Sequence, residues 1–162
     1  MITQKYLQEF FDYDQNTGFF TRKKKTGPST KVGQVVGKDR GNGYFVFYVL
    51  GKLQYAHRMA WLYVHGEIPS KNIDHINRNP SDNRLCNLRL VNQSQNTANS
   101  TISKANTSGF KGVTFRKDTK KWQAQIMVNY KLKNLGSFES KEEAYEARKK
   151  AAIKFFGEYA NE

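Results

Sequence analysis

The clearest alternation of apolar and polar residues in the chain runs from residue 121 to residue 129. Its apolar members occupy every second position, at Trp122, Ala124, Ile126 and Val128. This pattern predicts a β-strand that covers a core with one face and leaves the other face exposed. Two flanking segments are its expected antiparallel partners, Phe110 to Arg116 and Leu132 to Phe138. We therefore predict a three-stranded antiparallel sheet.

One helix is predicted after this sheet. Ser140 and Glu143 have the spacing of a capping box, in which two side chains satisfy main-chain N–H groups at the start of a helix. Alanine and phenylalanine residues then recur at helical spacing until Gly157, where the helix is expected to end. We expect the helix to lie on the apolar face of the sheet, which leaves the polar, basic face available to a ligand.

The first half of the chain predicts shorter elements. Two helices are expected there, Thr3 to Phe11 and His57 to His65, the second with Gly66 as a left-handed cap. Tyr44 to Leu50 and Leu53 to Ala56 predict the strands of a β-hairpin. Gly51 and Lys52 are expected to form its two-residue turn, with glycine in the first central position.

A strand–loop–strand–helix unit is predicted in the middle of the chain. Its parts are a strand at Asn72–Ile76, a loop at Asn77–Cys86, a strand at Leu88–Val91 and a helix at Asn92–Ser100. Residues 99–109 are small and polar without a hydrophobic period, as is typical of a linker. The sequence therefore predicts an α+β protein with one domain at residues 1–98, a linker at 99–109 and a second domain at 110–162.

The charge of the chain points to its partner. Lysine and arginine total 27 against 14 acidic residues among 162, a net charge of +13. The excess is spread over both predicted domains, and it favours nucleic acid as a partner over an anionic membrane or solubility alone. The apolar runs are far too short to span a bilayer, and no secretion signal is evident, so a cytoplasmic location is expected. The single Cys86 and three histidines exclude an internal disulfide and zinc-finger spacing.

Candidate catalytic residues lie between residues 72 and 99. Asp74 and His75 are adjacent, and Asn87 and Asn96 follow. Hydrolysis of a phosphodiester requires a base near neutral pH, which suits His75. It also requires a cation, and the carboxylate and amide oxygens of Asp74 and Asn96 are ligands suited to Mg²⁺. Asn87 is expected to orient the loop or the imidazole.

Each of these features has a simpler interpretation. An Asp-His pair is most often part of a turn or of the surface, and the asparagines of this region could simply form loops and helix caps. The order of the four residues together is the stronger observation. Asn92 is well suited to be the N-cap of the helix that carries Asn96, which would turn Asn96 toward the strand pair.

Several segments resemble a known family. They are His57-Arg58-Met59-Ala60-Trp61, Ile73-Asp74-His75-Ile76-Asn77, Asn83-Arg84, Asn87-Leu88-Arg89 and Asn96. They are similar to the HNH endonucleases of bacteriophages, free-standing or intron-encoded homing nucleases with a ββα-metal fold, with a motif core at residues 57–99. The resemblance implies His75 as general base, Asn87 as the residue that positions it, and Asp74 and Asn96 as ligands of one divalent metal, Mg²⁺ or Mn²⁺. Asn96 replaces the final histidine that names the family.

Residues 107–161 resemble a second family, the APETALA-two or ethylene-response-factor DNA-binding domain of plants. The similar segments are residues 108–113, 121–126, 135–138 and 142–157. In that family the three-stranded sheet lies in the major groove of DNA. By position, the resemblance implies DNA contacts from Lys111, Arg116, Lys121, Gln125 and Lys133. Thr114 and Asn134 depart from the residues most common in the plant domains, so a base-reading code does not carry over.

Together these observations predict a metal-dependent endonuclease that nicks or cleaves double-stranded DNA, as a monomer or a weak dimer. The resemblance to the HNH family implies that it is phage-encoded, is of the homing type and acts in the bacterial cytoplasm. Arg84 and Arg89 are expected to contact phosphate or to form salt bridges. The basic run from Arg22 to Lys25 is expected either to clamp the DNA backbone or to be a solvated loop. A structural role is favoured for His57. The alternatives are a DNA-binding regulator whose nuclease unit has decayed, and a protein that acts on RNA.

Overall fold

A computed structural model describes residues 1–100, 102–103 and 105–160. Two residues of the predicted linker and the last two of the predicted C-terminal domain lie outside this description. Contacts within the chain define two compact units, Met1–Leu90 and Val91–Glu162, a division that falls before the predicted linker. Both units contain helices and β-strands, and the α+β prediction is confirmed. None of the helices in the described ranges has the length and apolar character of a membrane span.

The first unit contains two small three-stranded sheets and a strand pair. Its elements in order are α1 (Gln4–Phe10), β1 (Phe11–Tyr13), β2 (Phe20–Arg22), β3 (Val35–Val36), β4 (Lys38–Asp39), β5 (Phe45–Val49), β6 (Lys52–Tyr55), α2 (Ala56–His65), β7 (Asn72–His75), a 3₁₀ turn (Leu85–Asn87) and β8 (Leu88–Val91). β1, β2 and β3 form one antiparallel sheet, and β4, β5 and β6 form another. β7 pairs with β8.

An aromatic core holds these elements together. The ring of Phe47 lies 5.4 Å from that of Phe11 and 5.0 Å from that of Phe20. Met59 and Ala60 of α2 are completely buried in the same cluster. Burial of each large apolar side chain contributes on the order of 1.5–3 kcal/mol. The core therefore fixes α2, and with it His57, against the β5–β6 hairpin.

The turn of the β5–β6 hairpin differs from the prediction. Val49 pairs with Lys52, so the two central residues are Leu50 and Gly51. Both have positive φ, +50° and +71°, as the twist of a two-residue hairpin requires. The prediction of Gly51 and Lys52 as the central pair was wrong by one position, because the cross-strand pairing requires Lys52 within the strand.

The second unit is a three-stranded sheet covered by a helix. Its elements are α3 (Gln93–Asn99), β9 (Val113–Arg116), β10 (Lys121–Val128), β11 (Lys131–Phe138), α4 (Lys141–Phe156) and a 3₁₀ turn (Gly157–Tyr159). The antiparallel strand order is β11-β10-β9, as predicted. Ser140 and Glu143 form the predicted capping box at the start of α4. Ala144 and Ala152 are completely buried, and their small side chains let the helix lie close to the sheet.

The short helix α3 belongs to this second unit. Asn92 caps it and forms a capping box with Gln95, which confirms the predicted N-cap. Ala98 packs in one apolar cluster with Ile126 and Phe156. A helix of only seven residues is not stable alone, so this packing and the caps hold it in place.

Candidate active site

The two residues predicted to act on phosphate stand together at the end of β7. Asp74 is 9% exposed and His75 is 5% exposed. Burial lowers the pKa of the His75 imidazole below its usual value, although a hydrogen bond with Asn83 and the carboxylates of Asp74 and Asp82 oppose this. His75 is therefore neutral at neutral pH, the form of an imidazole that accepts a proton.

Asn83 holds the imidazole ring. Its Oδ1 atom lies 3.3 Å from Nε2 of His75, and both residues are buried. The Nδ2 group of the same amide donates a hydrogen bond to the main-chain oxygen of Ser81 at 3.1 Å. Both ends of the Asn83 amide are thus engaged, which sets its orientation.

Asn87 braces the loop between β7 and β8. Its Oδ1 accepts a hydrogen bond from the Asn77 main-chain N–H at 3.0 Å, and its Nδ2 donates to Asn77 Oδ1 and to the Asp82 main-chain oxygen at 3.0 and 2.8 Å. The Asn87 main-chain oxygen accepts from the N–H of Ile76 at 2.9 Å. Of the two roles predicted for Asn87, these contacts support orientation of the loop.

Asp74 forms a largely buried ion pair within the same unit. The Nε group of Arg89 donates to Oδ2 of Asp74 at 3.1 Å. Asn96, the other predicted metal ligand, lies on α3 and so belongs to the second unit. Among the described residues, no three His, Cys, Asp or Glu side chains form a ready-made metal site. The donors predicted for the metal are one carboxylate and one amide, which is a set of hard oxygen ligands suited to Mg²⁺.

A group of rings surrounds His75. The His57 ring lies 5.2 Å from the His75 ring at 78°, and Tyr44 lies 5.6 and 5.9 Å from the two imidazoles. Burial, followed by the nearby His75 and Arg58, lowers the pKa of His57 to about 3. His57 is therefore a neutral ring that packs against the predicted base, consistent with the structural role expected for it.

The β1–β2 hairpin reaches the same loop. The buried Tyr13 hydroxyl donates a hydrogen bond to the main-chain oxygen of Asn83 at 2.7 Å. Gly18, in the turn between β1 and β2, has a φ of +78°. It lies so close to the loop between β7 and β8 that an added Cβ would be 2.5 Å from the main-chain nitrogen of Arg84. The first strands of the chain therefore support the residue that contacts His75.

Comparison with known proteins identifies the family. A model described as HNH endonuclease matches residues 54–98. Protein 3.8 of Escherichia phage T7 is 37% identical over 82 residues, which cover 50% of this chain and 68% of that protein. The chain belongs to the HNH endonuclease family. An uncharacterized HNH endonuclease, L560, of Acanthamoeba polyphaga mimivirus is 32% identical over 120 residues, which cover 74% of this chain and 62% of that protein. No solved structure matches the chain.

Two arginines of the HNH motif form ion pairs within the protein. The guanidinium of Arg84 donates to both carboxylate oxygens of Asp82, at 2.7 and 2.6 Å, and this interaction lowers the pKa of Asp82 to about 2. Arg89 pairs with Asp74, as described above. Salt bridging was one of the two roles expected for these arginines, and contact with phosphate stays a prediction.

The basic residues of the second unit also have protein partners. The Lys111 ammonium donates to the main-chain oxygens of Thr97, Ala98 and Ser100 at 3.3, 2.5 and 2.8 Å, which satisfies carbonyls at the end of α3. The other predicted contacts are placed as follows: Arg116 pairs with Asp118, Lys121 pairs with Glu139, the Lys133 ammonium lies 5.6 Å from the centre of the Phe155 ring, and Gln125 is partly buried on β10. None of these contacts tests DNA binding.

The basic run near the N-terminus is divided between protein and solvent. Lys24 pairs with Glu9 at 2.7 Å, and the Lys23 ammonium donates to the Gln8 main-chain oxygen at 2.9 Å. Lys25 is exposed. Both interpretations of this run, a backbone clamp and a solvated loop, stay open.

The structure thus brings Asp74, His75 and Asn87 into one unit. Sequence reasoning missed Asn83 and Tyr13 as supports of His75. Asn83 lies in the motif Asn83-Arg84, which carried the family resemblance, but spacing alone does not indicate which of several asparagines contacts the imidazole. Tyr13 gives no sequence signal, because its partner is 70 residues away.

Proposed function

We propose that this chain is a metal-dependent DNA endonuclease that nicks double-stranded DNA by hydrolysis of a phosphodiester, and that it acts as a homing-type nuclease. The observation that carries the proposal is the buried, neutral imidazole of His75 beside the carboxylate of Asp74. A neutral imidazole can accept a proton near pH 7, whereas a histidine that is already protonated cannot.

In the proposed reaction, His75 takes a proton from a water molecule as the water oxygen attacks phosphorus. The bond between phosphorus and the leaving oxygen breaks, that oxygen takes up a proton from solvent, and His75 returns its proton to solvent. Asn83 and the braced loop hold the imidazole, so that little reorganisation is needed when the ring accepts the proton. One such site acts on one strand, so a monomer should nick a duplex, and a double-strand break would require a weak dimer or two events.

The cation is proposed to be Mg²⁺, with Mn²⁺ as a substitute. When bound, it would neutralise charge that develops on the phosphate and on the leaving oxygen. Asp74 and Asn96 are the proposed protein ligands. Two oxygen donors fit this ion because Mg²⁺ keeps several waters and is often completed by substrate phosphate. Arg89 is ion-paired with Asp74 and is therefore proposed to hold that carboxylate in place.

The second unit is proposed to bind the DNA target, in the manner implied by its resemblance to the plant DNA-binding domain. β10 alternates, with Ala124 and Ile126 buried, so Gln123, Gln125 and Met127 belong to the other face of the sheet. This face and the net charge of +13 support a role in binding phosphate-rich DNA. Arg116 and Gln125 are the residues proposed to read base edges.

A nicking assay tests the proposal. Supercoiled plasmid, and separately DNA from the source of the protein, is incubated with protein and Mg²⁺ or Mn²⁺. We expect conversion to open circles that stops with a chelator and in His75→Ala. His65→Ala is the matched control, because His65 is an exposed histidine at the end of α2. Asp74→Asn and Asn96→Ala are assayed separately, since the two residues lie in different units.

Other outcomes would favour the alternatives. Tight DNA binding without nicking on any DNA would favour a regulator with a decayed nuclease unit. Stronger competition by double-stranded RNA than by DNA would favour an RNA-directed protein, because the A-form major groove is too narrow to admit a sheet. Nicking that persists in His75→Ala would refute the assignment of the base.

A further inference from the structure

The hydrogen bonds of Asn83 specify the tautomer of the neutral His75 imidazole. A side-chain amide has one acceptor end and one donor end. The Nδ2 end of Asn83 donates to the main-chain oxygen of Ser81, which can only accept. The Oδ1 end, which can only accept, therefore faces Nε2 of His75 at 3.3 Å.

This arrangement specifies where the proton of the neutral imidazole resides. Nε2 must carry the hydrogen in order to donate to Asn83 Oδ1. A neutral imidazole has one N–H, so Nδ1 holds the lone pair. The other tautomer would place two acceptors, Nε2 and Oδ1, against each other in a buried site, which is unfavourable.

The position of Asn83 is itself fixed from outside the loop. Its main-chain oxygen accepts a hydrogen bond from the buried Tyr13 hydroxyl at 2.7 Å, and Gly18 lies against the same peptide. Asn83 is only 3% exposed, so it is not placed to contact DNA itself. Its contacts are those of a residue that acts through the imidazole.

We propose that Asn83 is the positioning residue of the nuclease site, and that it holds His75 as the Nε2–H tautomer so that Nδ1 is the nitrogen that accepts the proton from water. This inference rests on the proposed function. It assigns to Asn83 the contact with the imidazole that the family resemblance assigned to Asn87, whose described side-chain hydrogen bonds go to Asn77 and Asp82.

The tautomer can be measured without any activity. The chain has three histidines, so ¹⁵N-labelled protein gives a simple imidazole spectrum, and His75→Gln identifies the His75 signals. At mildly alkaline pH, we expect the His75 Nε2 shift of a protonated ring nitrogen and the Nδ1 shift of an unprotonated one. The reverse pattern in the wild-type protein would overturn the proposal, whether or not the protein nicks DNA.

Three variants separate positioning from structure. Asn83→Leu removes the acceptor and should mix the tautomers and lower the nicking rate at saturating DNA by about 10²-fold, with little change in KM. Asn83→Asp keeps an oxygen toward Nε2 but loses the donor to Ser81, and should retain the tautomer and at least about tenfold more rate than Asn83→Leu. Asn79→Ala is the control, because Asn79 Oδ1 accepts from the Ser81 N–H in the same loop without contacting His75.

The comparison of nicking rates between Asn83→Asp and Asn83→Leu decides the outcome. If Asn83 only supported the loop through Ser81, Asn83→Asp would be as damaging as Asn83→Leu, and that result would refute positioning. Should Asn83→Leu fail to fold, the wild-type spectrum and Asn83→Asp still test the tautomer. Absence of nicking in the wild-type protein with the expected spectrum would refute the proposed function and leave the assigned tautomer supported.

Discussion

A substitution at Gly18 tests how the first strands support the loop between β7 and β8. Its φ of +78° is unfavourable for other residues, and an added Cβ would lie 2.5 Å from the Arg84 nitrogen and 2.6 Å from the Asn83 carbonyl carbon. Gly33 is a matched control, since its φ is +79° and nothing lies within 4 Å of its added Cβ. The Gly18→Ala and Gly33→Ala variants therefore share nearly the same backbone conformation, and only Gly18→Ala introduces a steric clash.

The expected magnitudes follow from this difference. A left-handed alanine costs about 1–2 kcal/mol, and both variants share that cost. In Gly18→Ala the Cβ meets main-chain atoms rather than a flexible side chain, so the loop must move. Overpacking of this kind adds about 1–3 kcal/mol. For a chain of 162 residues, an extra 2 kcal/mol lowers Tm by about 4–8 °C.

Thermal and urea unfolding of Gly18→Ala, Gly33→Ala and the wild-type protein measure the difference. We also expect Gly18→Ala to nick DNA more slowly than Gly33→Ala at a temperature where both remain folded, because the displaced peptide carries Asn83. Equal stabilities and equal rates for the two variants would refute the contact between the β1–β2 turn and the loop.

Three further predictions concern the same site and the DNA. Tyr13→Phe leaves the Asn83 main-chain oxygen without its buried donor and should cost about 1–3 kcal/mol in urea unfolding; an unchanged midpoint would argue against that bond. Since the folded pKa of His57 is about 3 against 6.5 when unfolded, stability should be full above pH 6.5 and fall as pH drops toward 3. In His57→Phe the free energy of unfolding should depend less on pH between 6.5 and 3. The same dependence as in the wild-type protein would contradict the lowered pKa of His57. DNA affinity should fall steeply with salt, by a slope of about −0.9 per neutralised phosphate, and a flat response would contradict electrostatic binding.

Much of the fold was predictable because its signals are local. The alternation at residues 121–129 predicted β10, and the capping residues Ser140 and Asn92 predicted the starts of α4 and α3. Strands of two or three residues, such as β3 and β4, gave no signal, because so few positions cannot establish a period. The turn at Leu50 and Gly51 was misplaced by one residue, since its register depends on pairing across the hairpin.

The residue types of the candidate active site were more predictable than the contacts between those residues. Aspartate at position 74 and histidine at position 75 suggested their chemistry directly. The sequence did not indicate the partner of His75, because several nearby asparagines are chemically identical and only the folded loop distinguishes Asn83 from Asn87. Lys111 shows the same limit, since the family resemblance implied a DNA contact by position, and position alone does not indicate that its ammonium binds the end of α3.

The packing of α3 has a consequence for any chimera built from this protein. Ala98 is buried among residues of the second unit, and Lys111 caps the final carbonyls of the helix. A transplant that exchanged everything after the predicted linker would strip away both supports from the segment that carries Asn96. If the second unit binds the DNA target as proposed, exchanging it would therefore also disturb α3, and a working graft would have to keep the surfaces that hold this helix.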